Sequence, residues 1–188
     1  MKQSILKESN VITINNGVDI SKFQRKHDSG LKEKLSLKNS FVMLSVASIW
    51  TEKKGINSLI EFSENLKKDE KLIIVGKISK KINLPTNIIH IESTNNIEEL
   101  AQIYSLSNVL LNFTLEDTFP TVNIESIACG TPVITYDSGG SKEIIDEQTG
   151  FVVKKGDFKS VREAITIIKS SKEKYMTACV ERAKQRYN

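Results

Sequence analysis

Apolar residues in this chain fall into short continuous runs separated by stretches with helical spacing. Phe41-Val-Met-Leu-Ser-Val-Ala47, Lys71-Leu-Ile-Ile-Val-Gly76, Asn87-Ile-Ile-His-Ile91, Val109-Leu-Leu-Asn-Phe113, Pro132-Val-Ile-Thr-Tyr136 and Phe151-Val-Val153 have the character of buried strands. Between them, Ile56 to Lys67 carries Ile56, Leu59, Ile60 and Leu66 on one face, and a helix capped by Asn95 or Asn96 turns Ile97, Leu100, Ala101 and Tyr104 inward. Asp157 opens a helix with Val161, Ala164, Ile165 and Ile168 in register, and Lys172 to about Arg186 reads as the last helix. Short helices are expected near Leu31, Leu35 and Leu37 and from Ser141 through Asp146. Val11-Ile-Thr-Ile14 has strand character before the turn signal Asn15-Asn-Gly17.

Strands alternating with helices at this spacing predict βαβ units, an α/β fold and a parallel sheet with right-handed crossovers. Such a sheet binds ligands at the carboxyl ends of its strands, and the loops Ser48 to Gly55, Thr114 to Phe119 and Ser138 to Ser141 all emerge there. The pattern therefore gathers Lys53 and Lys54, the carboxylates Asp117 and Glu125 and the turn Gly139-Gly140 around one crevice. Trp50 fits either the pocket or the core. The central stretch, Thr114 to Val133, reads as loop, short helix and strand, with Pro120 in the first helical turn and Gly130-Thr131-Pro132 as its stop. A helix start beside a strand end offers free N–H groups and a positive dipole end, which suits a phosphate. The loop after the first core strand holds neither G-x-G-x-x-G nor Gly-Lys-Ser, arguing against a dinucleotide oxidoreductase and a P-loop NTPase.

Asp117-Thr-Phe-Pro, a second carboxylate at Glu125 and then Ala128-Cys-Gly-Thr-Pro-Val133 resemble the donor-binding signature of retaining glycosyltransferases of the GT-B fold, family 4 in particular. Asn16-Gly-Val-Asp-Ile-Ser-Lys-Phe23 resembles the entry to that family's C-terminal domain, Lys53-Lys-Gly55 its phosphate loop, and Ser138-Gly-Gly-Ser-Lys-Glu-Ile144 the loop after its next strand. The resemblance implies a Rossmann-like, doubly wound parallel sheet, the C-terminal half of a GT-B enzyme. Residues 1–14 would lead in from a missing N-terminal acceptor domain, and residues 15–188 would bind a nucleotide-diphosphate sugar, UDP- or GDP-linked.

The implied roles follow the chemistry of such a donor. Lys54 and Lys53 would neutralise the departing phosphate, joined by the N–H groups of Thr121 and Val122. Glu125 would accept hydrogen bonds from the ribose diol, Asp117 would reach the sugar near its reacting carbon, and Thr118, Phe119 and Pro120 would shape the pocket. The catalytic set is thus Asp117, Lys54 and Glu125. No metal or other cofactor is implied, which fits the lack of a ligand cluster in the sequence. Two positions depart from the family pattern. The first carboxylate is usually Glu, with Glu116 here one step off, and the usual Gly-Arg step is Ala47-Ser48, leaving Lys53 to stand in for the second phosphate cation.

At 188 residues the chain suits one well-cored domain. Its 27 basic and 23 acidic residues leave a net charge of +4, spread too evenly to imply nucleic-acid binding. No apolar run is long enough for a transmembrane segment, and the N-terminus lacks a signal-peptide core. The two cysteines, Cys129 and Cys179, have no metal-like spacing and read as reduced structural thiols. His27 and His90 have no partner at triad or metal spacing, and Asn112-Phe-Thr114 is a sequon within a strand. The expectation is a cytoplasmic protein, with any attachment to the inner membrane face made through the missing half. Its acceptor would be a glycan or lipid-linked glycan in bacterial surface-polysaccharide synthesis, and the isolated half would be inactive. The alternatives are a nucleotide-sugar 2-epimerase-like enzyme and a non-catalytic nucleotide-binding module.

Overall fold

The computed structural model describes residues 16–27, 30–79 and 81–187; the strand expected at Val11 to Ile14 lies outside them. Six strands form one parallel sheet: β1 (Phe41–Ile49), β2 (Glu70–Lys77), β3 (Ile88–Ile91), β4 (Val109–Asn112), β5 (Val133–Tyr136) and β6 (Gly150–Val153). Their spatial order is β3-β2-β1-β4-β5-β6, the doubly wound Rossmann-like order, whose direction of winding reverses between β1 and β4. The helices are α1 (Leu31–Lys34), α2 (Ile56–Ser63), α3 (Ile97–Leu106), α4 (Thr121–Ala128), α5 (Ser141–Ile144), α6 (Phe158–Ser170) and α7 (Lys172–Arg186).

Burial on both faces explains the continuous apolar strand sequences. One core layer joins Leu44, Ile73 and Leu110 to Tyr104, Ile124 and Ile127, while the other joins Met43, Ile74 and Leu111 to Leu59, Phe62 and Ile165. The all-apolar runs of β1, β2 and β4 are thus consumed by two layers at once. The caps also follow the sequence. Asn96 accepts from the Glu99 N–H at the start of α3, and Asp157 accepts from the Ser160 N–H at the start of α6.

Several expectations are corrected. α2 ends at Ser63 rather than Lys67, because N–H bonds of Glu64 to the Glu61 carbonyl and of Asn65 to the Phe62 carbonyl tighten its last turn. Leu66 still packs on the core from the turn beyond. Ile97 does not face inward but is 44% exposed at the first position of α3, and Ile103 is buried instead. α5 stops at Ile144, where Ile145 turns extended, and Asp146 then folds a turn by accepting from the Thr149 hydroxyl at 2.8 Å. Pro120 sits at the cap of α4, one residue before its first turn. Trp50 is 4% exposed and donates its indole N–H to the Val75 carbonyl at 3.0 Å, so it belongs to the core.

Candidate active site

Where the winding reverses, the loops after β1 and β4 part and leave a crevice of about 510 Å³. Of the residues picked from the sequence, Ser48, Lys54, Asp117, Phe119, Pro120, Thr121, Val122 and Glu125 line it. Lys53 and Thr118 are not brought into its lining. The size suits a small-molecule ligand, and both charges and apolar surface are present.

The β1 side is built by a tight 3₁₀ turn, Glu52–Lys54, capped by the Thr51 side chain. Gly55 follows with φ +82°, and a Cβ there would lie 2.1 Å from the Phe113 carbonyl oxygen, so only glycine lets the turn meet β4 this closely. The contact is made in hydrogen bonds: Leu115 N–H donates to the Lys53 carbonyl at 2.8 Å and the Thr114 hydroxyl to the same carbonyl at 3.2 Å. Lys54 then extends across the crevice and its ammonium lies 2.7 Å from Asp117 Oδ2. Lys53 points away, with its ammonium 2.7 Å from Glu116 Oε2 and its side chain 73% exposed. The Glu116 hydrogen bond and charge raise the Lys53 pKa, and Lys53 in turn lowers that of Glu116.

The Ser138 to Ser141 loop does not line the crevice. It buttresses the carboxylate loop from behind, with the Gly140 N–H donating to the Thr118 carbonyl at 2.9 Å. Gly139 has φ +48°, and a Cβ on it would come within 1.6 Å of the Asp117 carbonyl oxygen. The two glycines therefore serve close packing, which holds Asp117 against Lys54.

On α4, Glu125 faces the crevice one turn beyond the helix start. Burial raises its pKa, opposed by the Tyr104 hydroxyl, which donates to Oε2 at 2.9 Å, and by the Thr121 side chain. Tyr104 is itself fully buried, and its own pKa is driven well up by that burial and by the Glu125 charge. The sequence signalled Tyr104 only as a core position; a buried tyrosine hydroxyl needs a partner, and that requirement pointed to a polar neighbour. Further lining comes from Val46, Ala47, Val75, Lys77, Glu92, Ser93, Thr94, Leu100 and Asn112. Of these the sequence marked only Ala47 as a site position, in the Ala47-Ser48 step, although all but Leu100 cluster at the carboxyl ends of β1 to β4. Asn112 donates to the side-chain oxygen of buried Asn123 at 2.8 Å, tying β4 to α4 beneath the crevice.

The combination is chemically specific. A cation held by a carboxylate, a helix start with free N–H groups and a second, half-buried carboxylate share one cleft at the switch point of a doubly wound sheet. That fold is the Rossmann-like domain of GT-B glycosyltransferases. The chain matches the family described as Glycosyl transferases group 1 over residues 29–186 and belongs to it. It is 30% identical over 180 residues to the capsular polysaccharide biosynthesis glycosyltransferase CapM of Staphylococcus aureus, covering 86% of this chain and 47% of that protein. Among solved structures it resembles HepE of Anabaena in complex with UDP, at TM-score 0.79 and 19% identity over 92% of this chain and 52% of that one. It also resembles the C-terminal domain of a group 1 glycosyltransferase from Francisella tularensis, at TM-score 0.74 and 18% identity over 92% of this chain and 99% of that one. The chain thus spans about half the length of the curated relatives it matches. No helix among the described residues is long and apolar enough to cross a membrane.

Proposed function

We propose that residues 15–188 form the nucleotide-sugar donor domain of a retaining, metal-independent glycosyltransferase acting in bacterial surface-glycan synthesis. The observation that carries this reading is the crevice in which Lys54, Asp117, the start of α4 and Glu125 converge. Support comes also from CapM, whose name places it in capsule synthesis, and from HepE, which was crystallised with UDP and with UDP-glucose.

In this reading the diphosphate lies over the N–H groups of Thr121 and Val122, where the helix dipole favours negative charge, and Lys54 meets the leaving phosphate as charge develops on it. Glu125 uses the acceptor capacity that Tyr104 leaves open to take hydrogen bonds from the ribose diol. Asp117 addresses a sugar hydroxyl near the anomeric carbon, within a pocket shaped by Phe119 and Pro120. Configuration is retained by departure and attack on one face of the sugar. An acceptor hydroxyl is positioned and water excluded only with a second domain, so this half binds donor without transferring the sugar.

The test is thermal denaturation with UDP, GDP, ADP and their sugar conjugates. A ligand at 100 times its Kd adds about 2.7 kcal/mol, or roughly 5–10 °C for a chain of this size. One nucleotide should raise the melting temperature selectively, and Lys54→Ala and Glu125→Ala should each abolish most of the shift. A wild-type chain indifferent to every nucleotide would reject the reading.

A further inference from the structure

The charges in the crevice single out one side chain. Its lining holds two cations, Lys54 and Lys77, against Glu92, Asp117 and Glu125. Lys54 is already committed to Asp117 at 2.7 Å. The Lys77 ammonium makes no ion pair or hydrogen bond among the described residues.

The position of Lys77 is fixed although its tip is not. It is the last residue of β2 and lies in register with Ile49 of β1. Its carbonyl accepts from the Trp50 N–H at 2.8 Å, while the Trp50 indole donates to the Val75 carbonyl at 3.0 Å. Alternation along the strand puts Val75 and Lys77 on one face, and both line the crevice. A four-carbon stem thus leaves a rigid strand end at the mouth of the cleft, carrying a compact charge that can be aimed. Lys53, by contrast, is engaged by Glu116 outside the lining.

We infer that Lys77 supplies the second positive charge that meets the donor's diphosphate, the role Lys53 is not placed to fill. The inference rests on the donor-binding reading above. A diphosphate brings at least two negative charges toward three carboxylates, and the single charge of Lys54 is already shared with Asp117. Entry then requires an uncommitted cation in the lining, and Lys77 is the residue that supplies it. Ser48, at the β1 end, contributes a hydroxyl and no charge.

The experiment is calorimetric titration of the chain with UDP, GDP and ADP and with the matching nucleosides, at low and high salt, for wild type, Lys77→Gln, Lys77→Arg and Lys53→Gln. Lys77→Gln should weaken the preferred diphosphate about tenfold, the scale of one charge-assisted hydrogen bond. It should leave nucleoside affinity unchanged and flatten the salt dependence, and Lys77→Arg should restore both. Equal affinity in Lys77→Gln, an equal loss for nucleoside and diphosphate, or a loss carried by Lys53→Gln instead would each overturn the inference while leaving the donor-binding reading standing. A wild-type chain that binds none of the three diphosphates would remove that reading and the inference with it.

Discussion

Removing one oxygen atom tests how Glu125 is held. Tyr104→Phe keeps the buried ring, its edge-on contact with Phe23 at 6.3 Å between centroids and nearly all of its volume. What disappears is the hydroxyl that donates to Glu125 Oε2 at 2.9 Å. A hydrogen bond to a charged group contributes roughly 1.5–3 kcal/mol. For a chain of this length 1 kcal/mol moves the melting temperature by about 2–4 °C, so the variant should melt about 3–12 °C lower near pH 8. The pH dependence has a definite sign. Burial raises the folded-state pKa of Glu125, so the folded state holds its proton more tightly than the unfolded state and stability falls as pH rises through that window. Losing the Tyr104 hydroxyl raises this pKa further, and the deficit should therefore be largest where Glu125 is ionised and shrink as acid protonates it. Urea denaturation of wild type and Tyr104→Phe at pH 8 and pH 4 reads both effects, and Glu125→Gln closes a double-mutant cycle. An equal loss at the two pH values would show that the hydroxyl serves packing and not the carboxylate; no loss at either would refute the bond's importance.

Gly139→Ala should destabilise by about 2–4 kcal/mol in denaturant and displace the Asp117 loop, because its new Cβ meets the Asp117 carbonyl at a positive φ; a stable variant with unaltered nucleotide affinity would contradict this. Glu70, 3% exposed, pairs with Arg162 at 2.6 Å and Lys169 at 3.1 Å. Burial opposes its charge, yet the Lys67 N–H, Arg162 and Lys169 outweigh burial and lower its pKa. Its stabilisation is thus present above the ordinary carboxylate range and lost as pH falls through the lowered value. Glu70→Ala should cost about 3 kcal/mol at neutral pH and progressively less as acid protonates the carboxylate, as read by chemical denaturation. Burial pushes the Cys129 thiol up to about 12 and the Cys179 thiol higher still, and both side chains are fully buried, so a thiol reagent should leave the native chain unmodified and label both cysteines in denaturant.

The sheet was legible because its strands are buried on both faces and carry unbroken apolar runs, as Phe41 to Ala47 and Val109 to Phe113 do. Helix ends were less so. Ile97 fits the apolar spacing of α3 but sits at its first turn, beyond the reach of the core, and spacing alone does not report where a helix meets its neighbour. At the crevice, the residues legible in the sequence were those of its motifs: Ser48, Lys54, Asp117, Phe119, Pro120, Thr121, Val122 and Glu125. Lys77 and Glu92 were invisible because a lone charge at a strand end has no local signature; only the placement of β2 beside β1 and of β3 beside β2 brings them to the same mouth.

The same geometry separates motif membership from ligand contact. Lys53, Thr114, Gly139 and Gly140 belong to the motifs, yet none is among the lining residues. Each holds another residue in place. The Lys53 carbonyl receives Leu115 N–H and the Thr114 hydroxyl, the Thr114 carbonyl receives the Ser138 hydroxyl at 2.9 Å, and the Thr118 carbonyl receives the Gly140 N–H at 2.9 Å. Three loops from three strands are thereby stitched together at their backbone carbonyls, with Asp117 and Lys54 at the centre. A carboxylate and an ammonium fixed this way give up their freedom when the chain folds rather than when a ligand arrives, and less of the binding free energy is spent on ordering them. A substitution at Lys53 that keeps its backbone is therefore expected to spare this framework, whereas one at Gly139 breaks it without touching a ligand.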